Sequence, residues 1–133
     1  MPIPAYSDKN MPFNVSAAAL IPASILTSVT YTSPILPLFY GDPYISALIG
    51  YNQIVIALTS DHVVTITIQR YLDAAGLIPV GAAATQATTA NVAGYCATSA
   101  TIPAFYFGFT IANASGSTAV ITNSGVALLP NAS

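Results

Sequence analysis

The chain has 133 residues, of which 54% are hydrophobic and 5% charged, for a formal net charge of −2. Soluble monomers carry about 25% charged residues, because surface charge keeps copies dissolved and apart. Two cations, Lys9 and Arg70, cannot form the basic stripe that nucleic acid or an anionic membrane surface requires. A surface this poor in charge makes sense if other protein covers most of it.

Cys96 is the single cysteine, so no intrachain disulfide framework is available. The opening residues, Met1 to Tyr6, lack a basic n-region and an apolar h-region, and no secretory signal is expected. The charge-free run from Asn10 to Gly41 holds Pro12, Pro22, Pro34 and Pro37 with scattered Ser and Thr, so it is not read as a membrane span.

Residues 1–24 are expected to form an extended arm. Pro2, Pro4, Pro12 and Pro22 recur there without apolar periodicity, leaving room for at most a short turn over Ser16–Leu20. Such an arm either packs on its own domain or, the preferred expectation, lies across a neighbouring subunit, with Pro2, Pro4, Tyr6, Pro12 and Phe13 as interface candidates.

From residue 25 to 133 the pattern is β almost throughout, and one domain is expected. Strands are predicted over Ile25–Thr32 and Leu36–Tyr40, the latter ending at a Gly41-Asp42-Pro43 turn. The one helix candidate is Asp42–Tyr51, with Asp42 as N-cap, Pro43 at the first helical position and Gly50 at its end. Gln53–Thr59 puts Ile54, Ile56 and Leu58 on one face. Val63–Tyr71 alternates, with Val64, Ile66 and Ile68 facing one way and Thr65, Thr67 and Gln69 the other.

Leu72–Gly76 reads as a hairpin loop in which Gly76 supplies a positive φ. Leu77–Val80, Ala83–Thr89 and Val92–Thr98 are weaker strand candidates. Ala104–Ala112 is the strongest, with Phe105, Phe107, Phe109 and Ile111 sharing a face. A turn at Asn113–Ser117 leads to strands over Thr118–Asn123 and Val126–Leu129. About eight strands at regular spacing predict an all-β antiparallel sandwich or jelly roll.

Candidate chemistry is thin. His62 adjoins Asp61, but neighbours on a strand point to opposite faces, so a solvated turn is the expectation. Cys96 among Tyr95, Ala97 and Thr98 reads as a buried inert thiol, and a Cys96–His62 nucleophilic pair would need a third, orienting group. One His and one Cys fall short of a zinc site. Asp42, Asp61 and Asp73 match no calcium-loop spacing and are each explained by a turn or cap; a glycosidase pair drawn from them is the rarer reading. No catalytic, metal or cofactor-binding residue is therefore assigned.

Arg70 shares the face of Val64, Ile66 and Ile68. It is expected either to emerge at the sandwich rim and pair with Asp73, or to make an inter-subunit salt bridge. Eight tyrosines are spread along the chain, with Tyr40, Tyr44 and Tyr51 around one loop. Tyrosine suits interfaces and also stacks on sugars, so those three are candidates for a glycan-binding loop. Asn14, Asn113 and Asn131 each open an Asn-x-Ser sequon, read here as chance matches.

The order of parts from Val63 to Leu129 resembles small jelly-roll domains in virion proteins of tailed phages and large double-stranded DNA viruses. The alternating strand Val64–Tyr71 precedes an Asp73/Gly76 loop and a small-residue stretch, Gly81–Gly94. The aromatic strand Phe105–Ala112 then enters an Asn-x-Ser-Gly turn and a final Thr/Val strand. The resemblance covers about half the chain and brings no catalytic residues. It implies a minor capsid, cement or decoration protein that joins identical subunits and other capsid proteins, as a trimer or larger ring, in the virion. A host-glycan-binding fibre head or spike is the alternative, and an enzyme is not expected.

Overall fold

The computed structural model describes residues 13–15, 20–40, 49–98 and 104–130. Among the described residues eleven strands are seen: β1 (Phe13–Val15), β2 (Ser24–Ile25), β3 (Thr30–Thr32), β4 (Leu36–Pro37), β5 (Phe39–Tyr40), β6 (Ile49–Ser60), β7 (Thr65–Tyr71), β8 (Pro79–Ala87), β9 (Gly94–Ala97), β10 (Tyr106–Ala112) and β11 (Ala119–Pro130). They form two antiparallel sheets. In the six-stranded sheet β1, β11, β6 and β5 lie in that order, with β2 also on β11 and β9 on β6. In the five-stranded sheet the order is β3, β10, β7 and β8, with β4 also on β10. The protein is an all-β sandwich.

Period-two alternation builds its interior. Ile54, Ile56 and Leu58 from β6 and Val126 and Leu128 from β11 are nearly inaccessible. From the other sheet, Val64, Ile66 and Ile68 meet them with Phe107, Phe109 and Ile111. Each such side chain contributes about 1.5–3 kcal/mol on leaving water. The Tyr31 ring tilts against Phe109 with centroids 6.1 Å apart. Phe105, expected on the same face, instead precedes β10 and is 53% exposed.

A hydroxyl device recurs where ladders end. Ser33, Thr88 and Thr98 are buried, and each holds a residue in or just before a neighbouring strand from both sides. The backbone N–H groups of Ser33, Thr88 and Thr98 donate to the carbonyls of Phe109, Val64 and Ile54. Their hydroxyls accept the N–H groups of the same three residues, at 2.9, 3.1 and 2.9 Å. A side-chain oxygen thus satisfies a buried donor that the ladder leaves over.

Several expected elements are redrawn. Ile25–Thr32 is two strands, because the chain leaves β2 on one sheet and enters β3 on the other through a turn in which Ser28 has φ 62°. Leu36–Tyr40 also changes sheets, at buried Leu38. The helix expected over Asp42–Tyr51 is overturned at its end, where Ile49–Tyr51 opens β6; residues 42–48 lie outside the described residues. Leu77–Val80 and Ala83–Thr89 merge into β8, with an irregularity opposite Gln69. The two final strands are one, β11, bulged between Thr122 and Gly125 where Asn123 has φ 49°.

The boundary expected at residue 24 does not mark the start of the core. Phe13–Val15 pairs with Leu128–Val126 of β11, and Leu20 and Ile21 are buried in the common core.

Candidate interaction surface

The two lateral sides of the sandwich are unlike. On one, β2 and β3 run along β11 and β10, and Leu20, Ile21, Ile25 and Ser33 are buried. On the other, β8 ends the five-stranded sheet and β9 borders β6 in the six-stranded one. Between β8 and β9 lies an open groove of about 700 Å³, lined by residues 84–89 and 92–97. Composition explains the opening. Ala84 and Gln86 stand opposite Ile68 and Ile66, and Gly94 and Cys96 stand opposite Leu58 and Ile56. These side chains are too small or too polar to close the space between the sheets. Gly94 also approaches Thr88 closely, since a Cβ on it would lie 3.2 Å from the Thr88 methyl.

β8 is exposed over most of its length, and only Val80 and Ala84 are half-buried. The Gln69 amide plugs its irregular half, donating to the carbonyls of Val80 and Gly81 at 3.3 and 3.2 Å.

Large apolar side chains gather at the ends of this side. Leu77 is 79% exposed, Tyr95 64% and Ile78 and Val92 52% each. No charged side chain stands on the outer face of either sheet among the described strands: Arg70 is the one charged residue in them, and it is buried.

The other candidates are placed as follows. Arg70 does not emerge at a rim. It is 4% exposed, opposite Phe107 and Val80, and burial pushes its guanidinium below the ordinary arginine range. The Asp73 carboxylate is taken up by its own loop. It accepts the Leu77 N–H at 2.9 Å and the Ile78 N–H at 2.8 Å, which hold it below the usual carboxylate range.

Asp61 and His62 sit in a partly exposed turn after β6, as expected, and there their side chains meet instead of pointing apart as strand neighbours do. His62 Nδ1 lies 2.9 Å from Asp61 Oδ1. The Val120 N–H, donating at 2.8 Å, and the His62 ring lower the Asp61 pKa. Cys96 is buried opposite Ile56, well down β6 from that loop, and burial pushes its thiol up. Among the described residues no three of His, Cys, Asp and Glu cluster as a metal site would require, and no helix is long and apolar enough to cross a membrane.

Pro2, Pro4, Tyr6, Pro12, Asp42 and Tyr44 lie outside the described residues. Phe13 pairs with Leu128 in β1. Tyr40 pairs with Ile49, and Tyr51 follows close by on the same strand, so the backbone does gather these two at one end of the six-stranded sheet. The Asn113 sequon is closed in the folded chain. Its side chain is buried and its amide donates to the carbonyls of Ile25 and Ser117, each at 2.9 Å.

The open edge was missed in the sequence. The available signal was the Pro79–Ala87 stretch itself, which combines strand length with an absence of charge and of large apolar residues.

No protein family and no curated protein matches the chain. Among solved structures it is similar to one titled "Crystal structure of PirA", with 13% identity and a TM-score of 0.35 over 86% of this chain and 99% of that one. That likeness is too slight to carry an argument about fold or function.

Proposed function

We propose that this protein is a structural, non-enzymatic virion component: a minor capsid, cement or decoration protein of the small jelly-roll kind. It joins identical subunits, as a trimer or larger ring, and a major capsid protein in a viral shell. The observation that carries this reading is the uncharged exterior of the sheets, where side chains such as Val120 (48% exposed) and Tyr95 (64%) face outward. A monomer gains nothing from such a surface. Each apolar Å² covered by a neighbour contributes about 25 cal/mol, while uncharged faces set up no like-charge repulsion against further copies.

The test is the composition of purified particles. Quantitative mass spectrometry should find the chain at a fixed copy ratio to the major capsid protein, and recombinant chain should rebind particles that lack it. A chain absent from particles, and a recombinant chain that does not bind them, would end the proposal. The role of the N-terminal arm is tested by deleting residues 1–12. A deletion through residue 24 would also remove β1 and the core residues Leu20 and Ile21. Full occupancy by the 1–12 deletion would show that the arm clamps no neighbour.

A further inference from the structure

We infer that the edge of β8 left unpaired among the described residues is an interface at which a second copy of this chain pairs antiparallel, joining two five-stranded sheets into one. The inference adds a two-fold contact that links copies of neighbouring rings and does not itself close a trimer or ring; it is read in solution without particles, so it and the assembly proposed above can each fail alone.

The backbone sets the direction of the free groups. The Thr88 N–H donates to the Val64 carbonyl of the neighbouring chain segment at 2.8 Å. Ala87, Gln86, Thr85 and Ala84 then pair one-to-one with Thr65, Ile66, Thr67 and Ile68. Backbone groups alternate sides along a strand. Ala84 and Gln86 therefore turn theirs toward β7, and Thr85 and Ala87 turn theirs outward.

Natural edges are guarded by charge, proline, bulges or brevity. β8 has nine residues and no charge, and its one proline is Pro79 at its start. Its irregularity lies in the other half, near Gly81 with φ 72°. The straight half carries one guard: Gln86 Nε2 donates to the Ala87 carbonyl at 3.0 Å, and that oxygen retains a second lone pair.

A second copy fits better than another occupant because the surface is complementary to itself. Antiparallel pairing sets the start of one β8 beside the end of the other. That brings exposed Leu77 and Ile78 of each copy toward exposed Val92 and the open groove of its partner. Each copy supplies both halves of the contact, as a two-fold interface requires. A strand this long spans about 30 Å. Stable interfaces cover ~800 Å² per partner, and the exposed Leu77, Ile78 and Val92 side chains add apolar area to that of the strand edge. The absence of charge removes the like-charge repulsion that a two-fold pairing would otherwise impose.

The test uses the full chain. Sedimentation velocity should show a concentration-dependent dimer. Thr85→Pro removes an outward N–H from each copy without touching the β7 ladder, and should raise the dimer dissociation constant about tenfold or more; Thr85→Ala should leave it unchanged. Hydrogen exchange supplies a readout that needs no variant. The Thr85 and Ala87 amides should exchange more slowly at high protein concentration than at low, while amides on the closed lateral side do not change. A chain that stays monomeric at all concentrations would overturn the inference, as would a dimer whose formation leaves both amides unprotected.

Discussion

Thr88 grips Val64 from both directions. Its N–H donates to the Val64 carbonyl at 2.8 Å, and its hydroxyl accepts the Val64 N–H at 3.1 Å. Val64 is fully buried, so no water replaces that hydroxyl if it is lost. Thr88→Val keeps the shape and strands one buried donor, which should cost about 1–3 kcal/mol. Thr88→Ser keeps the oxygen and should cost less. Urea denaturation of the two variants checks the ordering, and equal losses would point to packing rather than to the hydrogen bond.

Ile35 packs over two glycines, Gly108 in β10 and Gly76 in the loop between β7 and β8. A Cβ on Gly76 would lie 2.8 Å from Ile35 Cδ1, and one on Gly108 would lie 2.9 Å from the same atom. The two sites differ in backbone, since Gly76 has φ 71° and Gly108 is not in the left-handed region. Gly108→Ala should therefore be destabilising in the native background and nearly neutral in Ile35→Ala. Gly76→Ala should retain a penalty of about 1–2 kcal/mol in both, because the left-handed conformation still opposes its Cβ. Thermal denaturation of the four variant combinations separates contact from conformation.

Two loop carboxylates make stability fall in acid. Asp61 is held low by the Val120 N–H and the His62 ring, and Asp73 by the Leu77 and Ile78 N–H groups. A carboxylate with a folded pKa below its unfolded value of about 3.9 adds stability that is complete above that value. The stability is lost as pH falls through the folded pKa. Melting temperature should therefore hold from neutrality to about pH 5 on the carboxylates' account and drop below pH 4. Asp73→Asn should flatten part of that drop. An Asp61→Asn, Asp73→Asn double variant with an unchanged acid limb would refute the assignment.

Legibility followed contrast between faces. Val64, Ile66 and Ile68 against Thr65, Thr67 and Gln69 gave β7 its correct facing, because alternation survives wherever one face is buried and the other is polar. β8 offered no such contrast. Pro-Val-Gly-Ala-Ala-Ala-Thr-Gln-Ala has small residues on both faces, so its continuity and its free edge left no periodic trace. The sheet changes at Leu26–Val29 and at Leu38 were hidden for another reason. A chain crossing between layers keeps its β-branched composition while changing partners, and composition does not record partners. Arg70 was assigned to the correct face but to the wrong depth, since alternation fixes which way a side chain points and not how much structure lies beyond it. The solvated turn expected at Asp61 and His62 is present because β6 ends at Ser60; only their mutual contact left no trace, since opposed neighbours are a property of strands.

Asn113 joins the turn after β10 to the crossing between β2 and β3, and its chemistry admits a sharp test. Its amide nitrogen donates to the carbonyls of Ile25 and Ser117, and its side-chain oxygen accepts the Ser115 N–H at 3.0 Å and the Ser115 hydroxyl at 2.6 Å. Asn113→Asp changes almost no volume but replaces the donor with a second acceptor, facing carbonyls in a buried site. At neutral pH it should destabilise more than Asn113→Ala, since a charge is buried against the wrong dipoles. Those carbonyls and the burial raise the folded pKa of the introduced carboxyl, and once protonated it regains a donor. The penalty is therefore full above the folded pKa and shrinks as pH falls toward the unfolded value of about 3.9. Relative to the wild type, the variant should recover stability between neutrality and about pH 4, opposite in sign to the acid loss that Asp61 and Asp73 impose. Chemical denaturation of both proteins at pH 7 and pH 4.5 reads that difference, and a gap that stays constant between the two would show that Asn113 acts through its shape alone.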